Sequence, residues 1–134
     1  MLGVGRAEAV LSESYRDLIA WQRAMALVTS VYACTEGFPS RETFGLANQL
    51  RRAAVSVPSN IAEGKGRRSR REYVHFLYLA RGSLFETETQ LEIARNLGYL
   101  ADDEIAGLRD QLSGVARVLN GLIQAIQRRV PDPD

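Results

Sequence analysis

The stretch from Ser56 to Tyr73 reads SVPSNIAEGKGRRSRREY, and five of the seven residues from Lys65 to Arg71 are cationic. Widening the window to Arg51 collects Arg51, Arg52, Lys65, Arg67, Arg68, Arg70 and Arg71 against one acid, Glu63, in a chain whose formal net charge is only +1. Guanidinium groups grip phosphate oxygens in pairs, and each phosphate neutralised releases counterions. The chemistry such a run offers is therefore binding of a nucleic-acid backbone, RNA or DNA. No base-reading spacing accompanies it, so binding would follow charge and shape rather than sequence. Tyr73 and Tyr78 lie downstream, where they could stack on bases. The competing reading is a solvated interhelical corner, or arginines paired with the acids of a neighbouring subunit. The residues alone leave both open.

Other chemistry finds less support. His75 is the only histidine and Cys34 the only cysteine, and no oxyanion-type glycine motif accompanies either. Glu72 and His75 form one Glu-x-x-His, whereas a dimetal bundle site needs two, and Glu72 is also placed to cap a helix. Gly64-Lys65 is followed by Gly66, and the position five before Gly64 is Ser59, so the phosphate-loop pattern fails. Glu88 and Glu92 share a helix face with Arg81 and Arg95 at pairing distance. No acid-base pair emerges. The expectation is a protein that is not an enzyme, with no metal and no cofactor.

A length of 134 residues fits one domain, and 46% hydrophobic with 25% charged residues describes an ordinary globular chain. A lone cysteine excludes an internal disulfide. No run of about 18 apolar residues occurs, and the N-terminus has no signal-peptide pattern. These features predict a cytoplasmic protein with no membrane partner. The charge is polarised: the acids balancing the basic run sit in FETETQLE and in DDE from Asp102 to Glu104.

Four segments carry helical period, and they must position the basic run. Residues 1–14 read as a flexible arm, 15–129 as the folded unit and 130–134 as a disordered tail. The first segment, from about Tyr15, has a seam of Leu18, Trp21, Met25, Val28 and Tyr32. A second stripe, Ala20, Ala24, Leu27 and Val31, is left over, and with Phe76, Leu79 and the small Gly82 and Ser83 of the third segment it suggests an oligomer interface. Ser40 is placed to cap the second segment, whose stripe is Leu46, Leu50, Ala53 and Val57. Pro58 predicts a kink or break there. Ser69 with Glu72 makes a capping box before Tyr73, Leu77, Ala80, Leu84, Thr87, Leu91 and Ala94. Gly98 suits the left-handed position that ends this helix. The fourth segment starts at ADDE and carries Ile105, Leu108, Leu112, Val115, Leu119, Leu122 and Ile126. Four amphipathic helices with short connections imply an all-α, antiparallel up-down four-helix bundle.

The segments YRDLIAWQRA, VYACTEGFP, ETFGLANQLRRAAVSVPSNIAEGKGR, REYVHFLYLARGSL and ETQLEIARNLGYL together resemble the family of 23S rRNA intervening-sequence proteins, relatives of the accessory variability protein of diversity-generating retroelements. Bundle periodicity alone has no reason to produce QLRRAA-S-P-NIAEG-GR, which supplies Gln49, Arg51, Arg52, Pro58, Asn60, Glu63, Gly64 and Arg67. The resemblance implies four-helix bundles that associate into homopentameric rings, a connection with nucleic acid, and no established enzyme activity. The net charge of +1 is far below that of the basic retroelement proteins, so polyanion binding here must rest on the local cluster. The leading expectation is a ring-forming bundle that binds RNA or DNA backbone through Arg51 to Arg71. Its alternative is a protein-interaction scaffold whose arginines make intersubunit salt bridges.

Overall fold

The computed structural model describes residues 14–129. The expected arm and tail lie outside the described residues, except for Ser14, whose hydroxyl accepts the Arg16 amide at 3.1 Å and caps a short 3-10 turn, Tyr15–Asp17. Four helices follow: α1 (Ile19–Thr35), α2 (Leu46–Lys65), α3 (Arg70–Asn96) and α4 (Asp102–Arg129), with a second 3-10 turn at Ser40–Glu42. No strand occurs among the described residues. Each helix packs on the next, and α1 also packs on α4, closing a four-cornered bundle around one core. Cross-helix bonds run in opposite numerical directions, as antiparallel neighbours require. Ser56 meets Ser83 across α2 and α3, while Glu92 meets Arg109 and Arg81 meets Asn120 across α3 and α4.

The α3 stripe is buried from Tyr73 to Ala94 as the spacing predicts. Its start is the Ser69 cap, whose hydroxyl accepts the Glu72 amide at 3.1 Å while bonding the Glu72 carboxylate at 3.3 Å. Its end is a Schellman turn: Tyr99 N–H reaches Ala94 O and Gly98 N–H reaches Arg95 O, both at 2.9 Å, with Gly98 at φ +81°. The same spacing holds along α4, except that Ile123 is buried where Leu122 was expected and Leu122 only half so.

In α1 the second stripe makes the core contact, while of the expected seam Leu18 is buried and Trp21 and Val28 are half-buried against that core. Ala20, Ala24, Leu27 and Val31 form the core contact and are closed to any other subunit, whereas Met25 and Tyr32 are 41% and 43% exposed. The stripes lie about 100° apart on a helix of 3.6 residues per turn, and three-four counting cannot say which faces inward. Two alanines decide it, because they let α1 approach its neighbours closely.

Two boundaries differ at α2. Its first turn is not capped by Ser40; the chain makes the 3-10 turn instead, and Glu42 folds forward to accept the Leu46 amide at 3.1 Å. Beyond it, helix α2 runs unbroken through Pro58. An interior proline costs about 3 kcal/mol, but Val57 and Ile61 beside it are fully buried, each worth about 1.5–3 kcal/mol. Packing therefore outweighs the lost amide. Side chains also take up carbonyls there: Ser59 Oγ donates to Val55 O and Asn60 Nδ2 to Ser56 O, both at 2.8 Å.

Candidate nucleic-acid interface

The fold separates the seven cations into two regions. Arg51 and Lys65 stand fourteen residues apart on α2, roughly 21 Å along its axis. Arg51 is docked inside the protein's own surface. Its Nε donates to Thr35 Oγ1 at 2.7 Å, one terminal nitrogen reaches Tyr32 O at 3.4 Å, and its guanidinium lies 4.7 Å over the Tyr32 ring. It thereby covers carbonyls at the C-terminus of α1, where helix ends leave acceptors unpaired and cations are favoured. Arg52, one residue on, is exposed and makes no ion pair or hydrogen bond among the described residues.

The other five cations gather where α2 turns into α3. Close approach of the helices makes this corner: a Cβ on Gly64 would sit 2.8 Å from Phe76 Cβ and 3.2 Å from Tyr73 O, so only glycine fits. Arg67 pairs with Glu63 at 3.1 Å and lies 4.4 Å over the Phe76 ring, and Lys65 Nζ stands 6.0 Å over Tyr73. Arg68, Arg70 and Arg71 are exposed and have no acid or hydrogen-bond partner among the described residues. They sit in the loop and first turn of α3, whose open amides add a positive dipole end.

Topology brings two further cations to this end that the linear reading left out. Arg16 precedes α1 and stacks on Tyr15 and Trp21, each at 5.7 Å, and Arg128 lies in the last turn of α4. An up-down order places the start of the first helix and the end of the last beside the α2–α3 corner, and that was the available signal. The opposite end is acidic. It holds Glu36, Glu42, Asp102, Asp103 and Glu104; of its arginines, Arg95 pairs with Asp102 at 3.7 Å and Arg109 with Glu92 through two 2.7 Å bonds, while Arg41 lies 6.0 Å over the Tyr99 ring. Glu92 thus takes its partner from α4, not from its own helix. The bidentate Arg109 bonds hold its carboxyl below the ordinary carboxylate value. At the same end the Leu46 amide, then the Tyr99 hydroxyl at 2.9 Å, hold Glu42 low.

The aromatic expectation changes. Tyr73 is buried, its hydroxyl has no partner, and burial pushes the phenol upward, so this ring is closed to bases. Tyr78 is exposed, but Arg81 lies 4.7 Å over its ring. Cys34 and His75 stand toward opposite ends of the bundle. Cys34 donates to Val31 O, and burial pushes its thiol up to about 11, which keeps it protonated and unreactive near neutral pH. Of the expected interface residues, Phe76 is half-buried beneath Arg67, and Leu79 is exposed. No helix among the described residues is long and apolar enough to cross a membrane.

Comparison with known proteins gives a consistent picture. Residues 16–121 match the model of the family described as 23S rRNA-intervening sequence protein. A crystal structure of a protein of unknown function from the S23 ribosomal protein family, from Bacteroides thetaiotaomicron VPI-5482, is similar in fold. It has a TM-score of 0.73 at 18% identity, covering 78% of this chain and 98% of that one. No curated protein matches.

Proposed function

We propose that this chain, which belongs to the family of 23S rRNA-intervening sequence proteins, is a non-enzymatic, oligomeric four-helix bundle that binds nucleic-acid backbone through its basic end. One observation carries the reading. Arg68, Arg70 and Arg71 are three neighbouring cations with no partner among the described residues, held beside a helix N-terminus at the α2–α3 corner. Free guanidinium groups in that setting suit phosphate, and the family's name favours RNA among phosphate backbones. Arg51 has no part in it, because it stands roughly 21 Å from Lys65 along α2 and its side chain is anchored on α1 by two bonds. In a ring of subunits, the homopentamer being the expected form, each copy would present the same basic end, and avidity would exceed that of one weak patch.

A filter-binding titration of single-stranded and duplex RNA and DNA, run at several salt concentrations, tests this. The wild type should bind at low salt with affinity falling steeply as salt rises. Arg68→Ala/Arg70→Ala/Arg71→Ala should lose most of that binding while keeping the wild-type mass in light scattering. The scaffold alternative predicts the reverse: the triple variant dissociates the oligomer, and nucleic acid is irrelevant.

A further inference from the structure

Arg52 is the one cation of the original seven that neither the internal contacts nor the basic end absorb. It lines an open groove of about 500 Å³ on the outer flank of α1 and α2, with Tyr32, Asn48, Arg51, Val55 and Ser56. The flank carries exposed apolar surface in Met25, Tyr32 and Val55, and no acid lies between Met25 and Tyr32 on α1 or between Asn48 and Ser59 on α2. The outward stripe of α3 has the opposite character. Leu79 and Ile93 are 44% and 43% exposed, Gly82 is flat with open space above it, and Glu86 is the only charged residue between them on that stripe. Glu86 receives one bond, from Gln90 Nε2 at 3.3 Å on Oε2, which leaves Oε1 open.

We infer that the α1–α2 flank of one molecule docks the outer face of α3 of a second copy, with Arg52 paired to Glu86. This contact rests on the oligomeric part of the reading above and names the surfaces it would use. Charge complementarity selects the occupant, and the levels of the residues agree with it. Ser56 and Ser83 are bonded at 2.8 Å, so one turn further on, Arg52 shares a height with Glu86 and Thr87. Arg51 reaches Tyr32 O, which sets Tyr32 near that same height. Seven residues from Tyr32 toward the basic end stands Met25, and seven residues from Glu86 in the same direction stands Leu79, a step of about 10.5 Å in each helix. If copies are related by rotation about an axis parallel to their bundles, all these heights are preserved between neighbours. The charged pair and the apolar pair then meet together. The two surfaces are different patches of one molecule, so the contact is heterologous and closes into a ring when the rotation permits.

Charge exchange tests the contact by size-exclusion chromatography with light scattering. The wild type should elute at a multiple of the 14.9 kDa chain mass. Arg52→Glu and Glu86→Arg should each fall toward a single chain, and the double variant, with the charges swapped, should regain the wild-type mass. That rescue also certifies that the single variants fail at the contact and not in folding. A monomeric wild type, single variants that keep the wild-type mass, or a double variant that stays monomeric would overturn the inference. Those results leave phosphate binding untouched, since that reading fails if the wild type binds no nucleic acid at low salt or if the Arg68, Arg70 and Arg71 variant still binds it.

Discussion

Arg51 and Arg70 are the same side chain in two circumstances, and the difference between them separates structure from function in this molecule. Arg51 has two donors on Thr35 Oγ1 and Tyr32 O and its flat face on the Tyr32 ring, so its side chain is held in joining α2 to the end of α1. Arg70, with Arg68 and Arg71, meets no acid and no acceptor among the described residues, at an end of the bundle where Arg16 and Arg128 add to the same sign. Holding three guanidinium groups side by side without a counter-charge contributes nothing to folding. An unpaired cluster is therefore better evidence of a ligand than a paired one, and the count of arginines along the chain is poor evidence of either.

The largest effect that sharpens this contrast is on binding. Replacing Arg68, Arg70 and Arg71 together by alanine should weaken nucleic-acid binding on the order of 100-fold near physiological salt, while the thermal midpoint moves little, because exposed substitutions usually stay within about 0.5 kcal/mol. Next comes the corner that holds the cluster in place. Gly64→Ala forces a Cβ against Phe76 Cβ and Tyr73 O and should cost about 1–3 kcal/mol in denaturant unfolding, with binding lost only as far as the corner is displaced. Arg51→Ala should give the converse of the cluster variant. It removes a charged donor from the buried Thr35 and should cost about 1–2 kcal/mol of stability with nucleic-acid affinity unchanged.

The smallest effect concerns the acidic end. Glu42 and Glu92 both have carboxyls held below the ordinary value in the folded chain, Glu42 chiefly by the Leu46 amide and Glu92 chiefly by Arg109. Their contribution is thus present above the unfolded carboxylate pKa of about 4.3 and is lost as pH falls through the lower folded values. Melting followed between about pH 5 and 3 should show a shallower acid limb for Glu42→Gln and Glu92→Gln than for the wild type.

Much of the fold was legible from residue spacing, because helical period, the Ser69 cap and Gly98 are local signals. What was not legible required knowing neighbours. Two stripes on α1 could be counted, but which one faced the core depended on how closely Ala20 and Ala24 let another helix approach. Pro58 was a valid local warning that the burial of Val57 and Ile61 overrode. At the candidate site, linear proximity joined Arg51 and Arg52 to the Lys65–Arg71 run, although one helix holds them roughly 21 Å apart. It also missed Arg16 and Arg128, which only the up-down topology brings to the same end. The family motif is accounted for in part by packing: Arg51 anchors α1, Asn60 bonds Ser56 beside Pro58, Gly64 admits α3, and Glu63 holds Arg67.

The most direct test of a division of labour among the arginines is the salt dependence of single-stranded RNA binding, measured side by side for the wild type, Arg51→Ala and the Arg68, Arg70 and Arg71 alanine variant. Log affinity falls with log salt in proportion to the phosphates neutralised, at about 0.7 per phosphate for a single strand. The account predicts that Arg51→Ala keeps the wild-type slope while the triple variant loses about 2 units of it. A slope that drops with Arg51→Ala and survives in the triple variant would contradict it.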